Sequence, residues 1–268
     1  MKKKLTIAIF TDLDGSLLHR DTFRFDPIKD YIKNLVNKGI IIIPNSSKTE
    51  KEIENFNQEI DLELPFIAEN GSSIHGLNLI NPNFPNKIIL SREKEDLLKI
   101  FNSKVPEKLK NKCILVSNMK RKEQEKIFGQ TDNKLKDALE RKYTLPFVFE
   151  GNKIEKTKLS KILKSNSLSI QEGGRVINLC DNVNKVKSMN RVIKIYKKIE
   201  SDIKVIAVGD NYNDLEMLKN SNIPCLVFND KFKLDQINID NLIISNKPSP
   251  EGWADVVKMA LVKLKYND

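Results

Sequence analysis

Apolar positions along this chain alternate between two rhythms. Ile7-Ala8-Ile9-Phe10, Ile40 to Ile43 and Ile203 to Val208 are short, nearly continuous apolar runs. That is the pattern of strands buried on both faces of a parallel sheet. Between the first two runs the spacing turns helical. Asp26 reads as an N-cap and Pro27 as the first helical residue of a stripe of Ile28, Ile32, Leu35 and Val36, closed by Gly39. Ile53, Phe56 and Ile60 mark a second helix. Leu64 to Ala68 is a further short strand, and Asn70-Gly71 turns the chain back into Ser72 to Leu79.

The rhythm changes at the breaker-rich Asn81-Pro82-Asn83-Phe84-Pro85-Asn86. Beyond it, Ile88 to Leu90, Cys113 to Val116, Phe147 to Glu150 and Arg175 to Cys180 read as strands. Lys94 to Phe101, Lys120 to Phe128 and Asn133 to Lys142 read as helices. The first pattern then resumes: helix Ser188 to Ile199, strands Ile203 to Val208, Pro224 to Phe228 and Leu242 to Ser245, and a closing helix Trp253 to Leu264. Together these predict an α/β fold. Residues 1–85 and 184–268 form a Rossmann-like doubly wound parallel sheet, and residues 86–183 form an inserted α+β cap.

The apolar runs end in polar clusters, and in open parallel sheets ligands gather beyond the strands' C-terminal ends. Asp12 and Asp14 follow the first run and, at i and i+2, emerge on the same side; Gly15 permits a sharp exit. Two such carboxylates repel unless a cation lies between them or one keeps a proton, and their hard oxygens suit magnesium. Asp-x-Asp alone is equally the composition of a solvated turn. Ser46-Ser47-Lys48-Thr49 ends the second run and Gly209-Asp210-Asn211-Tyr212-Asn213-Asp214 ends the third. One central sheet would bring all three ends together.

Composition narrows the picture. The 268 residues carry a net charge of +10, which raises nucleic-acid binding as a possibility. The basic residues are spread along the chain among acids, and aromatics make up only 7%, so no nucleic-acid partner is expected. No apolar run approaches the roughly 20 residues that span a bilayer, and no membrane partner is expected. Met1-Lys2-Lys3-Lys4 before Leu5 to Phe10 imitates a signal peptide, but the apolar stretch is shorter than the usual ~7–15 residues, so a cytoplasmic protein is expected. Cys113, Cys180 and Cys225 are scattered and read as reduced. With only His19 and His75, a histidine-rich metal site is excluded.

Asp12-Leu13-Asp14-Gly15, Ser46, Lys185 and Gly209-Asp210-x-x-Asn213-Asp214 resemble, in order, the four motifs of the haloacid-dehalogenase-like phosphatases. The insertion lies between the second and third motifs, as in the subclass with a large α/β cap. Within that subclass the chain resembles the mannosyl-3-phosphoglycerate phosphatases. The similarity rests on Ser46-Ser47-Lys48-Thr49, Pro65-Phe66-Ile67-Ala68-Glu69-Asn70-Gly71, Arg141-Lys142-Tyr143 with Pro146-Phe147, Gly173-Gly174-Arg175, and Pro250-Glu251-Gly252-Trp253-Ala254. Ser16, Asn184, Val186 and Leu145 depart from the family pattern.

The resemblance implies Asp12 as nucleophile and Asp14 as general acid and base, with Ser46 and Lys185 holding the phosphate. It implies Mg2+ bound by Asp12, the backbone carbonyl of Asp14 and Asp210, with Asp214 or Asn213 as a further partner. Ser47, Lys48, Glu69, Asn70, Arg141 and Arg175 would bind or order a phosphorylated sugar, Arg175 or else Arg141 taking its glycerate carboxylate and Lys48 reaching phosphate or carboxylate. The expected reaction is hydrolysis of 2-O-(mannosyl)-3-phosphoglycerate. The alternatives are another sugar phosphate (the glucosyl analogue or sucrose phosphate), a phosphomutase, or a basic nucleic-acid-binding module.

Overall fold

A computed structural model describes residues 5–172, 176–199, 202–233 and 237–266. β1 (Thr6–Thr11) lies inside a five-stranded parallel sheet. Ile7 and Ile9 turn to one face and Ala8 and Phe10 to the other, and all four are buried, so both faces require helices. A short helical turn at Asp26–Ile28 leads into α1 (Lys29–Asn37), followed by β2 (Ile41–Pro44) and α2 (Glu50–Ile60). Asp26 does not cap α1: its carboxylate takes the Arg24 guanidinium at 2.9 Å, and the helix proper begins at Lys29.

The next strand departs from the simple parallel order. β3 (Phe66–Ala68) pairs with the end of β2 through a parallel bridge between Asn45 and Ile67. It pairs antiparallel with β4 (Ser73–His75), which pairs antiparallel with β5 (Lys87–Ile89). The cause is local. Glu69, Asn70 and Gly71 all have positive φ (47°, 60° and 96°), which reverses the chain within one turn.

The inserted segment contains α3 (Lys94–Lys104), α4 (Glu107–Lys110), β6 (Cys113–Leu115), α5 (Arg121–Phe128), α6 (Asp132–Leu139), β7 (Leu145–Phe149), α7 (Lys153–Ser165), β8 (Leu168–Glu172) and β9 (Ile177–Asp181). Its strands form an antiparallel sheet in the order β6-β7-β9-β8. Leu145, Phe147 and Leu179 pack against Leu97 and Phe101 of α3 and Leu159 and Leu163 of α7. α7 and β8 have no counterpart in the sequence-based expectation. The signal was present: Asn152 and Glu155 form a capping box, and Leu159 and Leu163 follow one turn apart.

The chain then returns to the core through α8 (Lys185–Tyr196), β10 (Ile203–Gly209), α9 (Leu215–Lys219), β11 (Ile223–Leu226), β12 (Ile243–Ile244) and α10 (Glu251–Lys263). The parallel sheet runs β12-β11-β10-β1-β2. Ile32 and Leu35 of α1 and Trp253 and Val257 of α10 cover one face; Met189 and Val192 of α8 and Met217 and Leu218 of α9 cover the other. The core is therefore doubly wound. Trp253 is fully buried and donates to the Thr11 hydroxyl at 2.9 Å, tying α10 to the end of β1. From β1 the chain passes to β2 on one side, while β10 leads outward to β12 on the other. The order reverses between β1 and β10, where such sheets open a crevice. Among the described residues, no helix is long and apolar enough to cross a membrane.

Candidate active site

The crevice is where the acidic strand ends meet. β1 and β10 run in register, Thr11 beside Val208, so Asp12 and Asp210 leave adjacent strands side by side. The Asp12 N–H donates to Val208 O at 2.9 Å. Carboxylate oxygens of Asp12, Asp210 and Asp214 lie within 4.8 Å of one another, and all three residues are buried. Gly15 lets the chain pass: a Cβ there would meet the Asp210 carboxylate at 2.7 Å, and its φ of +84° disfavours other residues.

Lys185 answers this negative charge. It is the first residue of α8, behind an Asn184 cap whose side chain accepts from the Lys187 N–H, and it is 2% exposed. Its Nζ is 2.7 Å from Asp12 Oδ1 and 2.7 Å from Asp214 Oδ1. Burial pulls its pKa down, but the charges of Asp12 and Asp214 outweigh it and hold the ammonium above its ordinary value. Burial likewise raises the Asp12 carboxyl, against the pull of Lys185. Asp210 is pushed up to about 8 by burial and by repulsion from Asp214 and Asp12. It accepts from Ser16 Oγ at 3.2 Å and Asn229 Nδ2 at 3.1 Å, and it pairs with the Arg20 guanidinium.

The second motif supplies the opposite wall. Thr49 caps α2, accepting from the Glu52 N–H at 3.1 Å, which leaves Ser46 without that duty. Ser46 is 1% exposed, and its hydroxyl accepts from the Lys48 N–H at 3.3 Å. Lys48 Nζ bridges Asp14 Oδ1 at 3.0 Å and Glu52 Oε1 at 3.2 Å. Desolvation in the cleft raises the Asp14 carboxyl, and Lys48 only partly opposes it. Asp14 is also the more open of the two motif aspartates, with 34% of its side chain exposed.

Cap and core close over one cavity, lined among others by Asp12, Asp14, Ser47, Lys48, Arg141 and Asp210. Arg141 is buried; its Nη1 donates to Ser47 O at 3.0 Å and to Thr144 Oγ1 at 3.0 Å. Glu69 and Asn70 do not line this cavity. Glu69 is 1% exposed, and its carboxylate accepts from Lys142 N at 2.8 Å, Tyr143 N at 3.1 Å and Thr144 Oγ1 at 2.6 Å. It fastens the cap segment that carries Arg141 to the core. Asn70 donates its backbone N–H to Ser46 O at 2.9 Å. Arg175, with Gly173 and Gly174, lies outside the described residues. Arg20 and Asn229 escaped the sequence reading because each sits in a loop with no periodic or motif signal.

The Glu69 clasp makes a checkable prediction. Glu69→Gln replaces one acceptor oxygen by an NH2 that faces donors. It is expected to weaken cap docking by about 1–3 kcal/mol. Hydrogen exchange at residues 142–144 should accelerate while the central sheet stays protected; unchanged exchange there would refute the clasp.

Residues 9–247 match the family of haloacid dehalogenase-like hydrolases, and the chain belongs to that family of enzymes. It is 29% identical over 264 residues to the glucosyl-3-phosphoglycerate/mannosyl-3-phosphoglycerate phosphatase of Persephonella marina, across 94% of this chain and 96% of that protein. It is 30% identical over 222 residues to the mannosyl-3-phosphoglycerate phosphatase of Pyrococcus horikoshii, across 79% of this chain and 86% of that protein. The fold is that of the sucrose-phosphatase from Synechocystis sp. PCC6803, with a TM-score of 0.64 at 11% identity over 99% of this chain and 100% of that one.

Proposed function

We propose that this enzyme is a magnesium-dependent phosphatase that hydrolyses 2-O-(mannosyl)-3-phosphoglycerate, and its glucosyl analogue, to the glycosylglycerate and inorganic phosphate. The observation that carries the chemistry is the juxtaposition at one sheet edge of Asp12, its Lys185 partner, a three-carboxylate cluster and Asp14 with a raised pKa. The substrate rests on similarity to the phosphatases named above. In this reading residues 1–85 and 184–268 are the catalytic core and residues 86–183 the cap. Three unpaired cysteines suit a cytoplasmic enzyme.

The donor set fits a hard divalent cation, since it is all oxygen, buried and closely spaced. Bound there by Asp12, Asp210 and the Asp14 carbonyl, magnesium would offset the repulsion between these carboxylates and a phosphate dianion. Both oxygens of Asp214 are occupied, Oδ1 by Lys185 and Oδ2 by the N–H groups of Asp210 and Asn211. Asp210 is also hydrogen-bonded through both oxygens, but by the side chains of Ser16, Arg20 and Asn229, which a cation can displace, whereas Asp214 is held by two backbone N–H groups and the buried Lys185; we therefore assign Asp214 to holding Lys185 and the loop. Asn213 lines the cavity with an unpartnered side-chain oxygen and takes the further position at the cation.

An Asp12 carboxylate oxygen forms a bond to phosphorus as the bond to the glycerate oxygen breaks, and the departing alkoxide takes the Asp14 proton. Asp14 then accepts a proton from water, the water oxygen bonds to phosphorus, and the acyl-phosphate bond breaks to restore Asp12. Lys185 balances charge on the Asp12 side, and Lys48 orients Asp14. Arg141, held against the second motif, is placed to grip the glycerate carboxylate.

The test is phosphate release from a panel of sugar phosphates, with magnesium or with EDTA. Release from glycosyl-3-phosphoglycerates should stop in EDTA and return with magnesium. Undiminished release in EDTA would remove the metal from the reading. A clear preference for an unrelated phosphoester would remove the substrate, and phosphoryl return to sugar without free phosphate would indicate a mutase.

A further inference from the structure

Asn178 interrupts the apolar strand β9, between Ile177 and Leu179. Leu179 turns towards α3 and α7 with Leu145 and Phe147. Alternation sends Asn178 to the opposite face, the one toward the catalytic cleft. There it lines the same cavity as Asp12, Asp14 and Arg141. It is 2% exposed, and its side-chain oxygen has no hydrogen-bond partner.

Such an atom is costly. A buried polar group without a partner destabilises the fold, and native proteins retain few of them. A β-branched residue would suit the strand without that penalty. The partner that satisfies Asn178 must therefore come from the cavity. Which end of an amide is oxygen is an assignment, and a hydroxyl can serve either end, since it both donates and accepts. Arg141, in the same cavity, carries the charge suited to a carboxylate, whereas the neutral Asn178 suits a neutral hydroxyl. Gln130 lines the cavity too, with an unpartnered side-chain oxygen of its own.

We propose that Asn178 is a specificity-determining residue whose side-chain amide hydrogen-bonds a hydroxyl of the substrate's glycosyl group. This rests on the function proposed above and assigns the sugar contact to the cap sheet. A site built to pair with a substrate hydroxyl discriminates strongly, because its own polar group is left unpaired by anything lacking one.

The experiment compares wild type with Asn178→Val on two substrates, mannosyl-3-phosphoglycerate and p-nitrophenyl phosphate, alongside thermal unfolding. The variant should unfold at the same or a higher temperature. Its kcat/KM should fall roughly 10- to 100-fold on the glycosyl substrate and stay within about threefold on p-nitrophenyl phosphate. Asn178→Ala, which adds no volume, should show the same split and serves if the valine variant does not fold. Equal losses on both substrates, or no loss on the glycosyl substrate, would overturn the proposal while wild-type preference upholds the function. A wild type with no preference for the glycosyl substrate would overturn the function, and this proposal with it.

Discussion

Asp12→Asn is expected to give a folded protein whose phosphate release is at least ~10⁴-fold below wild type. Asparagine keeps the shape of aspartate and removes the anionic oxygen that attacks phosphorus. The fold should tolerate the change well. Asp12 is one of three buried carboxylates within 4.8 Å of one another, and burial already raises its pKa. Removing one like charge relieves the other two, and Lys185 keeps Asp214 at 2.7 Å. The unfolding temperature should therefore equal or exceed that of wild type, as is common where a site is arranged for activity at the expense of stability. Phosphate release and thermal unfolding on one preparation check both halves. Activity within tenfold of wild type would remove Asp12 as nucleophile.

Lys185→Met should do the opposite and strike stability first. Methionine fills much of the volume but leaves Asp12 and Asp214 facing each other inside the protein without their cation. Breaking a buried pair by removing one partner typically costs about 3–5 kcal/mol. Two dependences identify the cause as charge. Added magnesium should restore part of the loss, because it supplies a cation that the unfolded chain does not bind. The loss should also shrink at lower pH. Lys185 lowers the pKa of both Asp12 and Asp210, so without it these carboxyls take up protons at higher pH than in wild type, where burial and like charge already push Asp210 up to about 8, and that protonation favours the folded state. The stability gap between variant and wild type should therefore narrow as the pH falls towards about 8. Denaturant unfolding on both sides of that pH, with and without magnesium, is the measurement, and a loss indifferent to both would point to packing instead.

The two variants separate what is legible in a strand end from what is not. Asp12 is readable because an apolar run delivers it to the edge of a parallel sheet, and run, edge and aspartate are contiguous in the chain. Asp210 follows from the same logic on β10. Lys185 is less legible: among so many lysines only the order of the motifs singles it out. Arg20 and Asn229 are illegible, since what selects them is contact with Asp210 from two unpatterned loops. Glu69 occupies an intermediate case. Glu69-Asn70-Gly71 is recognisable as a turn, but that the Glu69 carboxylate accepts from three donors of the distant 142–144 segment follows only from how the cap packs. Local signals also had more to say than periodicity alone revealed, as the Asn152–Glu155 capping box of α7 illustrates.

Period and punctuation along the chain were sufficient to determine the doubly wound core, the inserted cap and the three acidic or polar strand ends, because burial on two faces and exit at a sheet edge are properties of short contiguous segments. Only the tertiary structure decided which oxygens are free. It committed both oxygens of Asp214 to Lys185 and the backbone, set Lys48 on Asp14, and left the Asn178 side-chain oxygen unpaired over the cleft. The backbone contacts of Asp214 are a local capping box, but the Lys185–Asp214 and Lys48–Asp14 pairs depend on distances between residues far apart in sequence, and no local pattern encodes such distances.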